Sequence, residues 1–432
     1  MLFGVAAVPA AAAGTVRDQQ WHLNAMEADQ IWRITTGKGV SVAVIDSGVD
    51  KSLADLQGRM LPGKDFSTQK GDEYNDVAGH GSAMAALIAA TGNLGPTRGS
   101  WGLAPGAKVI PIRIPYVNEE SAKGGVPFDT SMAAAIRYAA DTSAKVINIS
   151  VGDIGHDSSE LQGAVKYALS KDKLVFAAVG NEGEKGNPVE YPAATPGVVG
   201  VGGLDRKAAQ LPLSETGPQV DISAPAQDII KACPGGSGLC GGSGTSDATA
   251  LTSASAALLW SKHPDWTNNQ VLRVLLNTAS GVAGGGRHNE SVGYGAVRPL
   301  VALKHPGDPG PADVYPLPDL AASEKSAAPS ASDGARASGG SSGGGQGHAP
   351  AASTASGSGS GGGTGLWIGV AAAVVAVAGA AAFAVSRARR RSAAVAPPQP
   401  PGPYAYTTQL QPGDPPQAPG HPDRQASRYP GQ

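Results

Sequence analysis

Cys233-Pro234-Gly235-Gly236-Ser237-Gly238-Leu239-Cys240-Gly241-Gly242-Ser243-Gly244-Thr245-Ser246-Asp247-Ala248-Thr249-Ala250 runs straight into small residues that continue to Trp260. A glycine-rich loop thus feeds hydroxyl-bearing residues into the start of a helix. Glycine permits positive φ and close backbone approach. The first turn of a helix has unpaired N–H groups and a partial positive charge. A serine at that junction has two uses. It caps the helix, or it acts as a nucleophile where developing negative charge is stabilised. The segments around it decide between the two.

Upstream, β-branched apolar runs alternate with helical stretches. Residues 40–45 read Val-Ser-Val-Ala-Val-Ile, a buried strand that stops at Asp46-Ser47-Gly48. Trp21, Met26, Ile31 and Trp32 before it predict one short amphipathic helix. Gly79-His80-Gly81-Ser82 opens an apolar helix over 83–90. A strand follows over 108–114, a helix over 130–140, and a strand over 145–149 that leads into Ser150-Val151-Gly152. Ser159 and Gln162 have capping-box spacing at the start of a helix over 159–170. A strand over 174–179 ends in Gly180-Asn181, and a short strand covers 198–201. Downstream, the helix over 246–260 stops before Pro264. Thr267 and Gln270 form a second capping box ahead of a helix over 271–276. Strands apolar on both faces, alternating with helices, predict an α/β fold with a parallel sheet covered on both sides. Such sheets carry their sites at the carboxyl ends of strands.

The chain has 432 residues, with 33 Lys+Arg against 35 Asp+Glu. This balance gives no basis for a nucleic-acid partner. Residues 14–305 carry all the patterning of a packed domain. Residues 306–365 are Pro/Ala- and then Gly/Ser-rich, with too few large apolar residues to fold; as a flexible coil they reach roughly 40–45 Å. Residues 366–385 form an uncharged run of about the length that spans a bilayer. Arg387, Arg389, Arg390 and Arg391 follow, which places that end in the cytoplasm. Residues 386–432 then read as a disordered cytoplasmic tail. Residues 1–13 are apolar and end in Ala11-Ala12-Ala13, like the end of a secretory signal. In an exported chain, the two cysteines Cys233 and Cys240 read as one disulfide.

Asp46, His80 and Ser246 occur in the chain order of the subtilisin form of the catalytic triad. The sequence resembles the subtilisin-like serine proteases over roughly residues 40–276, and Ala178-Val179-Gly180-Asn181 resembles the segment that carries their oxyanion-hole asparagine. The resemblance implies a serine endopeptidase. Ser246 attacks a peptide carbonyl, His80 takes and returns the proton, and Asp46 holds the imidazole. Asn181 and the Ser246 N–H stabilise the oxyanion. Ser150, Val151 and Gly152 pair with extended peptide substrate, and Val151 with Ala177 and Ala178 lines the pocket for the residue before the cut. No cofactor is required. Many family members hold structural calcium, but no ligand set for it maps onto this sequence.

Three positions depart from the family pattern. Ser82 replaces a threonine and keeps the hydroxyl. Ala250 replaces a proline. Asp247 stands where a large apolar residue is usual, and the 100° step between helix residues turns it outward, away from the oxyanion. The short stretch before Asp46, the membrane span and the basic flank resemble the mycosins, membrane-anchored subtilisin-like proteases associated with type VII secretion. Protein substrates, the cell membrane and secretion components are then the expected partners. A protease-like scaffold of a secretion complex is the alternative, and Asp247 is the feature that favours it. A sedolisin-type carboxyl peptidase fits less well, because His80 and Asn181 stand where those enzymes use acids.

Overall fold

The computed structural model describes residues 14–116, 127–155, 157–282 and 286–327. The strands are β1 (Ser41–Asp46), β2 (Lys64–Asp65), β3 (Lys108–Arg113), β4 (Val146–Ile149), β5 (Asp153–Ile154), β6 (Leu174–Ala178), β7 (Glu190–Tyr191), β8 (Val199–Leu204), β9 (Ile222–Pro225), β10 (Ile229–Ala232) and β11 (Leu239–Gly242). Among the described residues, seven of these form one sheet in the order β2-β3-β1-β4-β6-β8-β9. Each neighbouring pair in it is parallel. From β1 the chain builds outward to β3 on one side, then returns to place β4 on the other. The strand order therefore reverses at β1, the position where open α/β sheets leave a crevice at the strand ends.

The helices are α1 (Val16–Gln19), α2 (Trp21–Ala25), α3 (Ala28–Trp32), α4 (His80–Ala89), α5 (Phe128–Asp141), α6 (Ser159–Ser170), α7 (Thr245–Lys262), α8 (Asn268–Thr278), α9 (Pro299–Lys304) and α10 (Pro318–Ala327). They cover both sheet faces, as the doubly apolar strands require. Successive strand residues point to opposite faces. Val42 and Val44 of β1 join the core formed with α4, α7 and α8. Ala43 and Ile45 join the core formed with α5 and α6. Every residue of α7 from Thr245 to Trp260 is buried. Its small side chains explain how a helix can be enclosed on all sides: Ala, Ser and Thr let neighbouring backbones come close. The hydroxyls of Thr249, Thr252 and Ser255 donate to carbonyls four residues back and so carry no unmet polar group into the core.

Two expectations about helices change. The N-terminal segment is three short helices, because Gln20 leaves the helical conformation at ψ 66° between α1 and α2 and Glu27 adopts a left-handed one at φ 59° before α3. Its side chains anchor it to the body: Trp21 Nε1 donates to Gln227 O and Trp32 Nε1 to Leu103 O. The cap of α6 is Ser158, whose hydroxyl accepts from the Leu161 N–H at 3.3 Å; Ser159 is already helical. The Thr267–Gln270 capping box is present at α8.

The glycine-rich run before Ser246 is an arm of the antiparallel β10–β11 hairpin, not a plain loop, with Lys231 opposite Cys240. Residues 306–327, expected within the linker, lie against the domain: Asp319 Oδ2 accepts from the Gly197 N–H at 2.7 Å, and Leu317 is buried. The signal segment 1–13, the linker beyond 327, the span 366–385 and the tail 386–432 lie outside the described residues. Among the described residues, no helix is long and apolar enough to cross a membrane.

Candidate active site

Asp46 ends β1 at the point where the strand order reverses, and its side chain is fully buried. It faces His80, the first residue of α4. His80 Nδ1 lies 2.8 Å from Asp46 Oδ1 and 3.0 Å from Oδ2. Gly81 is needed for this approach: a Cβ there would stand 2.1 Å from Gly48 O and 3.0 Å from Asp46 Cβ. Burial by itself lowers the imidazole pKa. The charge of Asp46 and its hydrogen bond outweigh that effect, Asp247 adds to them, and Lys231 opposes. The net result lies above the ordinary value of 6.5.

Two residues that the sequence motifs did not single out hold this pair. Asp76 Oδ2 accepts from the Ser82 N–H at 2.8 Å, and Oδ1 accepts from the Gly79 N–H at 2.7 Å. It satisfies free donors at the start of α4, where a carboxylate also suits the helix dipole. Ser47 Oγ donates to Asp76 Oδ1 at 2.7 Å and accepts from the Gly81 N–H at 3.1 Å, tying the β1 turn to the helix. An acid shortly before a glycine-bounded helix start was the available signal for Asp76.

Ser246 is in the first turn of α7, which packs against α4. Its Oγ donates to Ser150 O at 2.9 Å, and Ser150 Oγ donates back to Ser246 O at 3.1 Å. Asn148 Nδ2 supports Ser150 Oγ at 3.0 Å, and Ser253 Oγ donates to Asn148 Oδ1 at 2.9 Å. The end of β4 and the start of α7 are thus locked together through buried polar side chains. Asn181 follows β6. Its Oδ1 accepts from the Thr245 N–H at 2.9 Å and from Thr245 Oγ1 at 3.2 Å. With Oδ1 occupied, the amide NH₂ is the end that remains for a ligand beside Ser246. Of the substrate-binding residues, Ser150 and Val151 are almost fully buried and Gly152 is partly open. Ala178 retains slight exposure whereas Ala177 has none, so Ala177 is beneath the surface and does not line a pocket.

Asp247 does not face outward. It is 2% exposed, and its Oδ1 lies 2.5 Å from Lys231 Nζ on β10. The helical step turns it off the Ser246 face, but that direction leads into the β10–β11 hairpin. Burial raises its pKa, and Lys231 opposes the rise.

Cys233 and Cys240 stand as free thiols in hydrogen-bond contact with each other; the expected bond between them is not formed here. That contact, with burial, pushes the Cys233 thiol up. The same contact brings the Cys240 thiol down, against the effect of burial. Among the described residues, no group of three or more His, Cys, Asp or Glu side chains is arranged to hold a metal ion.

Comparison with known proteins gives the family of the chain. The family model described as the subtilase family matches residues 37–295. Subtilisin E of Bacillus subtilis (strain 168) is 36% identical over 247 residues, 57% of this chain and 61% of that protein. The chain therefore spans under two thirds of that relative's length. The crystal structure of MycP1 from Mycobacterium smegmatis superposes with a TM-score of 0.60 at 27% identity, covering 70% of this chain and 89% of that one. A further MycP1 structure, described as a serine protease and an essential component of the type VII (ESX-1) secretion system, gives 0.57 at 30% identity, covering 68% and 90%. The chain belongs to the subtilase family.

Proposed function

We propose that the chain is a membrane-anchored extracellular serine endopeptidase, with Asp46, His80 and Ser246 as its triad and Asn181 as an oxyanion donor. The observation that carries this is the Asp46–His80 pair at 2.8 Å, its carboxylate fully buried and its imidazole on a helix packed against the one whose first turn holds Ser246. Asp46 holds the Nδ1–H tautomer, which leaves Nε2 as the base. In the structure the Ser246 hydroxyl proton points to Ser150 O; on binding substrate the hydroxyl turns to His80. Ser246 Oγ then bonds to the peptide carbonyl carbon while His80 takes the proton. The resulting oxyanion receives the Asn181 amide and the Ser246 N–H. Collapse expels the amine, protonated by His80, and leaves an acyl-enzyme. Water, deprotonated by His80, releases the acid.

The MycP1 relationship supports a role beside a type VII secretion system, acting on secreted proteins. The uncharged run at 366–385 and the arginines after it support an anchor with the domain outside. A substrate ester should give a pre-steady-state burst equal to the enzyme concentration, absent in Ser246→Ala. A fully folded wild type with neither burst nor steady-state turnover contradicts the enzyme. Externally added protease on whole cells should cut the linker and spare residues 404–432; digestion of those residues contradicts the orientation. The scaffold alternative rests on Asp247, whose carboxylate here faces Lys231, and the burst and turnover measurements separate it from the enzyme.

A further inference from the structure

Glu190 and Glu215 are absorbed neither by the triad nor by the oxyanion donor, yet they lie against both segments that flank Ser246. Glu190 Oε2 stands 2.7 Å from where a Cβ on Gly152 would be. The Glu215 carboxyl atoms stand 2.4–2.5 Å from where a Cβ on Gly180 would be. Gly152 is two residues from Ser150, whose carbonyl holds Ser246 Oγ. Gly180 O accepts from Thr245 Oγ1 at 3.2 Å, one residue before Ser246. Glycine at both positions is what lets the carboxylates reach this place. Gly180 also takes φ +115°, which strains any side chain there.

The two carboxyls touch each other, an arrangement that is a hydrogen bond only when one of them is protonated. Glu215 is fully buried. Its Oε1 accepts from the Glu182 N–H at 3.3 Å, and its Oε2 has no hydrogen-bond partner. The charges acting on Glu190 are those of Glu182 and Asp153, and those acting on Glu215 are Glu190 and Glu182. All are negative. Burial and this company push Glu190 up to about 7 and Glu215 up to about 8. A buried acid pair with an orphaned oxygen calls for a positive partner. Val151 and Ala178, both apolar, precede Gly152 and follow Ala177 on the same two segments, and suit the methylene stem of a long cationic side chain.

We propose that Glu190 and Glu215 form the base of the specificity pocket and select a lysine or arginine side chain immediately before the scissile bond. This rests on Ser246 being the nucleophile. The cation's N–H groups donate to the two carboxylates, Glu215 Oε2 among them, and displace the proton the pair otherwise shares.

The test uses the full chain in detergent and peptidyl aminocoumarin amides that differ only in the residue before the cut. Lysine and arginine substrates should exceed norleucine by at least about tenfold in kcat/KM at pH 8. Glu190→Gln and Glu215→Gln, each isosteric, should reduce that ratio about tenfold. A preference for norleucine or phenylalanine, or a ratio unchanged in both variants, overturns the proposal. Turnover is not required for a second measurement. Ser246→Ala, titrated with a peptide acid ending in lysine, should bind it about tenfold tighter than the norleucine peptide. Equal binding overturns the acidic subsite, whereas the absence of both burst and turnover described above overturns the nucleophile instead. Calcium chloride alone is titrated into the same variant. Saturable calcium binding lost in both Gln variants, without discrimination for lysine, assigns the pair to a metal and overturns the proposal.

Discussion

Lys231 Nζ lies 2.5 Å from Asp247 Oδ1, and both side chains are almost fully buried, one on the hairpin before the nucleophile and one immediately after it. This contact compensates a carboxylate that, left alone beside the oxyanion, would oppose catalysis. The pair also reaches His80, whose pKa Asp247 raises and Lys231 lowers.

Removing one member leaves a buried charge unpaired. Lys231→Met should destabilise the chain by about 3–5 kcal/mol, read as a lowered urea midpoint. Lys231→Met combined with Asp247→Leu should recover most of the loss, because replacing a buried pair by packed apolar groups is often neutral. A double variant as unstable as the single one contradicts the pairing.

The Asp46–His80 contact sets a pH signature. His80 titrates above 6.5 in the folded chain. Its pairing with Asp46 therefore stabilises the fold fully below that value, and the contribution is lost as pH rises through the elevated pKa. Activity runs the other way, since only neutral imidazole accepts the Ser246 proton. The rising limb of kcat/KM against pH should have its midpoint above 6.5. Asp46→Asn should move that midpoint to lower pH and cut kcat by about 10⁴, the cost of leaving a triad histidine in the wrong tautomer. An unmoved limb contradicts the assignment.

Asn181 is predicted to act on the transition state and not on substrate binding. Asn181→Ala should lower kcat by about 10²–10³ with little change in KM, a magnitude measured on a subtilisin asparagine. Loss of the Thr245 contacts adds a stability effect, so thermal unfolding is measured alongside. An unchanged kcat in a folded variant contradicts the oxyanion role.

Strands β1, β3, β4, β6 and β8, helices α4 to α8, and the candidate site residues Asp46, His80, Asn181 and Ser246 could be picked out because each lies where an apolar run meets a polar or glycine-bounded turn, whereas β2 and β9 carry no such run. That junction is a local signal, visible without tertiary information. The β10–β11 hairpin was not legible, because its glycine-rich arm resembles a loop and its strand identity comes only from pairing with Ile229–Ala232. The direction of Asp247 failed for the same reason. A helical wheel gives the angle of a side chain but not what stands at that angle, and here it was Lys231. Residues 306–327 carried a linker's composition, yet Asp319 meets the Gly197 N–H and draws them onto the domain. Glu190 and Glu215 are 25 positions apart in the sequence, and only the turns after β6 and β8 bring them together.

The Cys233 and Cys240 thiols are already in contact on the hairpin that carries Lys231. Oxidation should join them without moving the strands and add roughly 2–3 kcal/mol of stability in the chain-entropy model. Mass spectrometry of exported protein should show a loss of two hydrogen atoms relative to reduced protein, and a reductant should lower the midpoint of thermal unfolding. Two alkylatable thiols in the exported protein contradict the bond.

The central claim is that Ser246 is a nucleophile activated by His80. A fluorophosphonate probe applied to the folded full chain should label Ser246, mapped by peptide mass spectrometry. Labelling should vanish in Ser246→Ala and fall steeply in His80→Ala. A folded wild type that stays unlabelled, or labelling that persists in Ser246→Ala, contradicts the account.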